Sequence, residues 1–481
     1  MKKTIKKCKH ILKTSESYLE WLEAALNLDY LEKKEAWKNK KESKYYDYKL
    51  IEKRLEYFRT CLSEKNIKGL TYALREDLHH NLNNLGNYNL YSKTYVGTKK
   101  LIEEYVNEVS SILEYLCDNE FDDLPFPLKI QFFEETAHSF GRSALLLSGG
   151  ASFGLYHVGV IKALWEHGLL PRVISGSSMG AVVAAAAGIY EDINKMFDPS
   201  NLYMTMLERM PIIDMIKQRA LLKSSQIEYF LRENLGEFTF EEAFRKTGMI
   251  INITASPATE NRTPVLFNYI NFPHVLVWSA VLASCSIPGL FPPSVIMMKD
   301  YRGNAIPYME SLKWIDGTLT SDIPMKRLAE LYNVNHFIVS QTNPHIAPFM
   351  SENKNQVFDS IQSVIKSETS YIASKFMKAI SMAIPEKRAK LLADDISQVL
   401  SQPYSGDITI IMKLPAKQYF YLLTNPTLET YKQFVLGGEK ATWPKMTTIY
   451  TQTKIGQTLE ACVLKLERRR RKYYAGSIKT I

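Results

Sequence analysis

The sequence predicts an α/β protein: a mostly parallel central sheet, preceded by a helical N-terminal region and followed by helical C-terminal elements. Three observations carry this expectation. Up to about residue 128, apolar residues recur at helical spacing. Beyond it, short apolar runs alternate with helical segments, and two of those runs pass straight into a helix through glycine-rich turns.

In "SYLEWLEAALNLDYLEKKEAW", Leu19, Leu22, Ala25 and Leu26 recur at 3, 4 and 7, a helical stripe. "TKKLIEEYVNEVSSILEYLC" repeats the pattern with Leu101, Tyr105, Val109 and Leu113. Between them "NNLGNYNLYSKTYVGT" reads as a connector, with Gly86 and Gly97 as its turn residues. The two prolines of "DDLPFPL" mark a boundary. Ala144 to Leu147 is then a strand, followed by "SGGASFG" and a helix from about Leu155. Val173 to Ser175 is the next strand, followed by "GSSMG" and a helix through Ala181 to Ala187. Further strands are expected at Ile250 to Thr254, Val265 to Tyr269 and His336 to Ser340. Past residue 345, Phe358, Ile361, Ile365, Ile372, Phe376 and Ile380 approximate one helical stripe, with two readings open: a helix laid on the protein, or one laid on a membrane surface. The expected domains are therefore 1–128, helical; 129–345, the α/β domain; and 346–481, a helical extension packed on that domain and ending in a basic tail.

At 481 residues the chain is too long for one ordinary core. Its 46% hydrophobic and 23% charged residues exclude a disordered chain as the default. No run reaches the ~18 consecutive apolar residues of a membrane span. The longest candidate, Val275 to Pro293, is interrupted by Pro288, Pro292 and Pro293. The basic start "MKKTIKKCKHILKTSESY" lacks the apolar core and cleavage site of a secretory leader, although export by a leaderless route would leave no trace. Cys8, Cys61, Cys117, Cys285 and Cys462 form no CxxC pair and join no histidine cluster, so they read as reduced thiols; no metal or other cofactor is expected. The net charge of +9 is concentrated at the end, where Lys465 to Ile481 holds seven Lys/Arg against one Glu. That tail is either a solvated end or an attachment to anionic lipid; nucleic acid is not expected, since no recognised binding fold accompanies the patch.

Gly176-Ser177-Ser178-Met179-Gly180 is a G-x-S-x-G turn between a strand and a helix, which would hold Ser178 on a sharp bend with its hydroxyl exposed. The motif alone is weak. In the other turn, the backbone N–H groups of Gly149, Gly150, Ala151 and Ser152 can converge on an anion, as an oxyanion hole requires. The residues G-G-A-S-F-G do not make the dinucleotide pattern G-x-G-x-x-G, and no G-K-[ST] is present for a phosphate loop. Asp316 ends an apolar run immediately before Gly317, although an Asp in D-G is by itself more often a turn residue.

A glycine loop, a G-x-S-x-G turn some 25 residues later and a distant D-G turn together resemble the patatin-like phospholipase family. "ASCSIPGLFPP", Ala283 to Pro293, also resembles that family's A-S-x-x-x-P-x-x-F-x-P stretch. "YLEWLEAALNLDYL", "LYSKTYVGTKKLIEEYVNEV", "NITASP", "NVNHFIVSQTNPH", "GDITI" and "GEKATWPK" extend the likeness to its triacylglycerol lipases, over roughly residues 15 to 465.

The resemblance implies a three-layer sandwich and a Ser178–Asp316 dyad without a catalytic histidine. It also implies an oxyanion hole in Gly149 to Ser152, an elbow shaped by Gly176 and Gly180, and hydrolysis of a lipid ester, triacylglycerol or phospholipid. The protein would then be intracellular and cytoplasmic, attached peripherally to a membrane or lipid-droplet surface. Two positions depart from the family pattern: Thr318 follows the D-G pair where Gly or Ala is commoner, and Ala151 replaces a third glycine. A Ser-Asp-His triad using His336 or His345 is the rival chemistry, and an inactive lipid-binding scaffold is the rival function. His157 reads as a helix-packing residue, and His79 and His80 as solvated. Met204 to Ile216 and Val295 to Met298 read either as core or as apolar loops suited to acyl chains.

Overall fold

From Lys2 to Phe140 the chain is helical: α1 (Lys2–Thr14), α2 (Tyr18–Leu31), α3 (Glu35–Asn39), α4 (Tyr48–Ser63), α5 (Ile67–Asp77), α6 (Lys100–Asp118) and α7 (Phe126–Phe140). Local chemistry sets several starts. Ser17, Asp47 and Asn66 cap α2, α4 and α5 by accepting the N–H of Glu20, Leu50 and Gly69. The prolines of "DDLPFPL" do not end the helical region; Pro127 lies in the first turn of α7, where a missing N–H does no harm. These coordinates come from a computed structural model and describe residues 1–199, 222–259, 263–317, 323–343, 405–412 and 425–478.

The stripe expected in α6 is found, with Tyr105, Val109 and Leu113 buried. α2 forms as well, but only Ala25 of its stripe is buried. Leu19 and Leu26 are 76% and 46% exposed, while Trp21, Ala24, Ala25 and Leu28 are buried. The helix carries two apolar faces, and the one that holds Trp21 is buried: its ring stacks on Tyr18 and meets Trp443.

The later elements are β1 (Arg142–Leu147), α8 (Tyr156–Glu166), β2 (Val173–Gly176), α9 (Met179–Ile189), α10 (Asn194–Phe197), α11 (Ser225–Leu235), α12 (Phe240–Thr247), β3 (Ile250–Pro257), β4 (Val265–Phe267), α13 (Val277–Cys285), β5 (Met297–Lys299), β6 (Ala305–Pro307), β7 (Trp314–Asp316), α14 (Met325–Tyr332), β8 (Val334–Gln341), β9 (Ile408–Ile411), α15 (Leu428–Thr442) and α16 (Met446–Ile478). Strands run in the order β4-β3-β2-β1-β8-β9, with β7 also on β3. The pairs β1–β2, β2–β3 and β8–β9 are parallel, whereas β4 and β7 run antiparallel to β3. This is the mostly parallel α/β sheet that the sequence predicts.

The chain divides into two compact units. One is 1–143 with 329–336 and 443–481; the other is 144–328 with 337–442. The division at residues 128 and 345 cuts the chain differently, because Ile455, Leu459, Cys462 and Leu466 of α16 enter the same buried cluster as Val109, Leu113 and Phe133. In the second unit α8 and α15 touch backbone to backbone: a Cβ on Gly159 would lie 1.8 Å from the Val435 carbonyl oxygen, and one on Gly438 would lie 2.1 Å from that of Tyr156.

Candidate active site

Parallel strands deliver both glycine turns to one end of the sheet. β1 runs into the loop Ser148 to Gly150 and a short 3-10 turn at Ala151–Leu155, and α8 follows. β2 runs through Ser177 and Ser178 into α9. Ser177 N–H donates to the Leu147 carbonyl, so the second turn is tied to the strand that precedes the first.

Ser178 has φ 53° and ψ −124°, a conformation that disfavours an L-residue by on the order of 1–3 kcal/mol. The turn is tight enough to require its glycines. A Cβ on Gly176 would lie 2.2 Å from the Gly180 carbonyl oxygen, and one on Gly180 would lie 2.4 Å from that of Leu147. The run "AVVAAAAG" lies wholly buried within α9, which packs on β2 and β3.

The sheet register brings Asp316 to the same place. β2 ends with Gly176 opposite Ile253, and β7 ends with Asp316 opposite Ala255. Because β4 pairs with both Ile253 and Ala255, it occupies one side of β3, leaving β2 and β7 to share the other. The two strands therefore run toward each other along β3 and stop two residues apart, about 7 Å at strand spacing. Asp316 is 2% exposed and Ser178 is 6% exposed. Both are also fastened to the end of α13: Ser178 N–H donates to Ser284 Oγ at 2.8 Å, and Asp316 N–H donates to the Ser286 carbonyl at 3.0 Å. Burial, and then the nearby Asp316 carboxylate, push the Cys285 thiol up, so it stays protonated.

The glycine loop is braced from below. Gly149 carbonyl accepts from Ser148 Oγ and Thr342 Oγ1 at 3.1 and 3.2 Å, and Gly150 abuts that same Thr342 hydroxyl. Ala151 takes a left-handed φ of 46°. His157 is fully buried beneath the loop, with Nε2 2.9 Å from the Ser148 carbonyl and Nδ1 2.7 Å from Ser340 Oγ. Burial lowers its pKa to about 4, so the ring is neutral. Both nitrogens serve packing, as expected of it.

Ala151, Ser152 and Ser178 border a cavity of about 70 Å³ whose other walls are mainly apolar, among them Leu155, Val182, Ile227, Ile287, Leu290 and Phe291. Part of the "ASCSIPGLFPP" stretch thus becomes pocket wall, and its Ser284 becomes a support for Ser178, a role that no local pattern announces. His336 is elsewhere. It lies at the start of β8, held by Ser143 Oγ and Gln452 Oε1 at 3.0 and 2.9 Å, at the opposite end of the strand from Thr342. Of Val295 to Met298, Ile296 is buried and Met297 opens β5. Thr318, His345, Met204 to Ile216 and the stripe from Phe358 to Ile380 lie outside the described residues. Among the described residues there is no cluster of three or more potential metal ligands, and no helix is long and apolar enough to cross a membrane.

Fold and site together define a class: a parallel α/β protein with a strained serine elbow, a buried aspartate beside it and a braced glycine loop. Residues 145–329 match the family described as Patatin-like phospholipase, and residues 1–138 match a domain of unknown function, DUF3336. Triacylglycerol lipase ptl3 of Schizosaccharomyces pombe is 36% identical over 94% of this chain and 96% of its own length. Triacylglycerol lipase 4 of Saccharomyces cerevisiae is 37% identical, and Triacylglycerol lipase SDP1L of Arabidopsis thaliana 33%, over 92% and 96% of this chain. The chain belongs to the patatin-like phospholipase family. It spans 51% and 59% of the length of the budding yeast and plant relatives.

Proposed function

We propose that this protein is a lipid acyl hydrolase that cleaves carboxylic esters through an acyl-enzyme on Ser178. The observation that carries the proposal is the meeting of β2 and β7 on one side of β3, with a strained serine and a buried aspartate at their ends. Asp316 takes the hydroxyl proton as Ser178 Oγ attacks the ester carbonyl. Ser178 N–H is engaged by Ser284, so the oxyanion is assigned to the N–H groups of Gly149 to Ser152. Asp316 then gives the proton to the departing alcohol, and water releases the fatty acid. The N-terminus of α9 favours the developing negative charge. The scheme uses no metal or other cofactor.

Triacylglycerol is the substrate suggested by the relatives' names, with phospholipid as the alternative, and the apolar walls of the cavity match the acyl part of either. Such esters reside in membranes or droplets, so peripheral attachment to a lipid surface belongs to the same proposal.

A fluorophosphonate probe should label the wild type and fail on Ser178→Ala. Product analysis on mixed neutral lipid and phospholipid should show fatty acid release that falls ~100-fold or more in Asp316→Asn. Changing His336 or His345 to Ala should leave most activity; near-total loss with either would replace the dyad by a triad. Absence of both labelling and hydrolysis would favour a lipid-binding scaffold.

A further inference from the structure

The basic tail is less available to a partner than its composition suggests. In α16, Lys465 pairs with Asp118, Arg469 with Glu120 and Arg470 with Glu134. α1 is different. Its sequence, KKTIKKCKHILKT, contains six lysines, one histidine and no acid. Its apolar side is already used, since Cys8 is buried with Ala24 and Leu28, and Ile5, Ile11 and Leu12 pack around them. The other side is lysine from end to end. At helical spacing Lys2, Lys3, Lys6, Lys7, Lys9 and Lys13 all fall outside the arc that holds Ile5, Cys8, Ile11 and Leu12. Lys9 pairs with Glu32, whereas Lys2, Lys3, Lys6 and Lys7 are exposed and make no ion pair among the described residues.

We infer that the outer face of α1 is a docking surface for the anionic headgroups of a lipid membrane, rather than the C-terminal tail. Charge complementarity selects the occupant. A helix whose outward charges are all basic, with its apolar side consumed by packing, can bind a diffuse sheet of negative charge without inserting into it. Attachment is then electrostatic, additive over the lysines and screened by salt. The inference extends the peripheral attachment proposed above, but does not depend on catalysis.

Binding of the full chain to vesicles of phosphatidylcholine with about 30% phosphatidylserine, followed by co-sedimentation, tests it. A variant with Lys2, Lys3, Lys6 and Lys7 changed to Gln should bind on the order of 500-fold more weakly, since each exposed lysine near such a surface contributes roughly fivefold. Arg468, Arg471 and Lys472, exposed but set among the paired charges of Lys465, Arg469 and Arg470, changed to Gln should have a smaller effect. Wild-type binding should fall steeply between low and ~0.5 M salt and vanish on pure phosphatidylcholine. Unchanged vesicle binding by the α1 variant, or no binding by the wild type, would overturn the inference. So would a lysine-dependent affinity for single-stranded RNA exceeding that for the vesicles. Hydrolysis of a soluble short-chain ester, read in parallel, should be the same in wild type and variant; its absence in both would sink the enzyme reading while leaving the docking result intact.

Discussion

At the scale of single residues, reactivity at Ser178 depends on what holds an unfavourable backbone in place. Ser284 is a positioning residue in this account: its hydroxyl accepts the N–H of Ser178 and is itself fully buried. Ser284→Ala should lower kcat roughly tenfold with KM little changed, as loss of one buried hydrogen bond would. Ser284→Thr should recover part of it, because a hydroxyl returns. A variant that melts earlier yet keeps its kcat would mean that Ser284 serves only stability. The candidate nucleophile and base were legible as motifs, since G-x-S-x-G and D-G are local. Ser284 was legible only as part of a stretch, because its partner is brought to it by the packing of α13 beside the elbow.

At the scale of elements, close packing depends on residues with no side chain. The crossing of α8 and α15 places Gly159 and Gly438 in backbone contact, and α8 is the helix that the glycine loop opens. Gly438→Ala should force the helices apart, with an overpacking penalty of ~1–3 kcal/mol and a melting temperature lower by roughly 3–10 °C. Thermal unfolding followed by circular dichroism checks this; an unchanged melting curve would show that the pair can slide without loss. Helical spacing located α2 and α6 equally well, but found the buried face only of α6. Periodicity reports how apolar residues are spaced, and a helix with two such faces needs a neighbour to choose between them.

At the scale of the whole molecule, each compact unit carries a histidine whose ring nitrogens are shielded from solvent and which resists protonation. In one, His80 lies against Phe140 and His336, and its ring nitrogens find no partner among the described residues. Burial, and then the His336 charge, lower its pKa to about 3 from an ordinary 6.5. His157 in the other unit falls to about 4. In both cases the unfolded chain takes up a proton below about 6.5 while the folded chain refuses it. Stability should therefore fall as the pH drops from 6.5 toward 4 for His157 and toward 3 for His80, by up to ~1.4 kcal/mol per pH unit for each group. His80→Leu should narrow the gap between urea midpoints measured at about pH 7 and about pH 5. An equal gap in the variant would mean that the native ring already accepts its proton. The expectation that His80 is solvated fails here: its surroundings in sequence are polar, and the rings that enclose it come from distant segments.

Sequence alone determined the fold class, the two glycine turns and the types of residue at the candidate site. These are written in hydrophobic period and in the few residues able to make a turn. Tertiary structure decided what stands next to what. The antiparallel arrival of β7 on β3 sets Asp316 at the level of the Ser178 turn, and α16 joins helices from the far end of the chain. It also neutralised part of the basic tail and left the lysines of α1 exposed. Composition counts charges, whereas ion pairing depends on which acids the packing brings within reach.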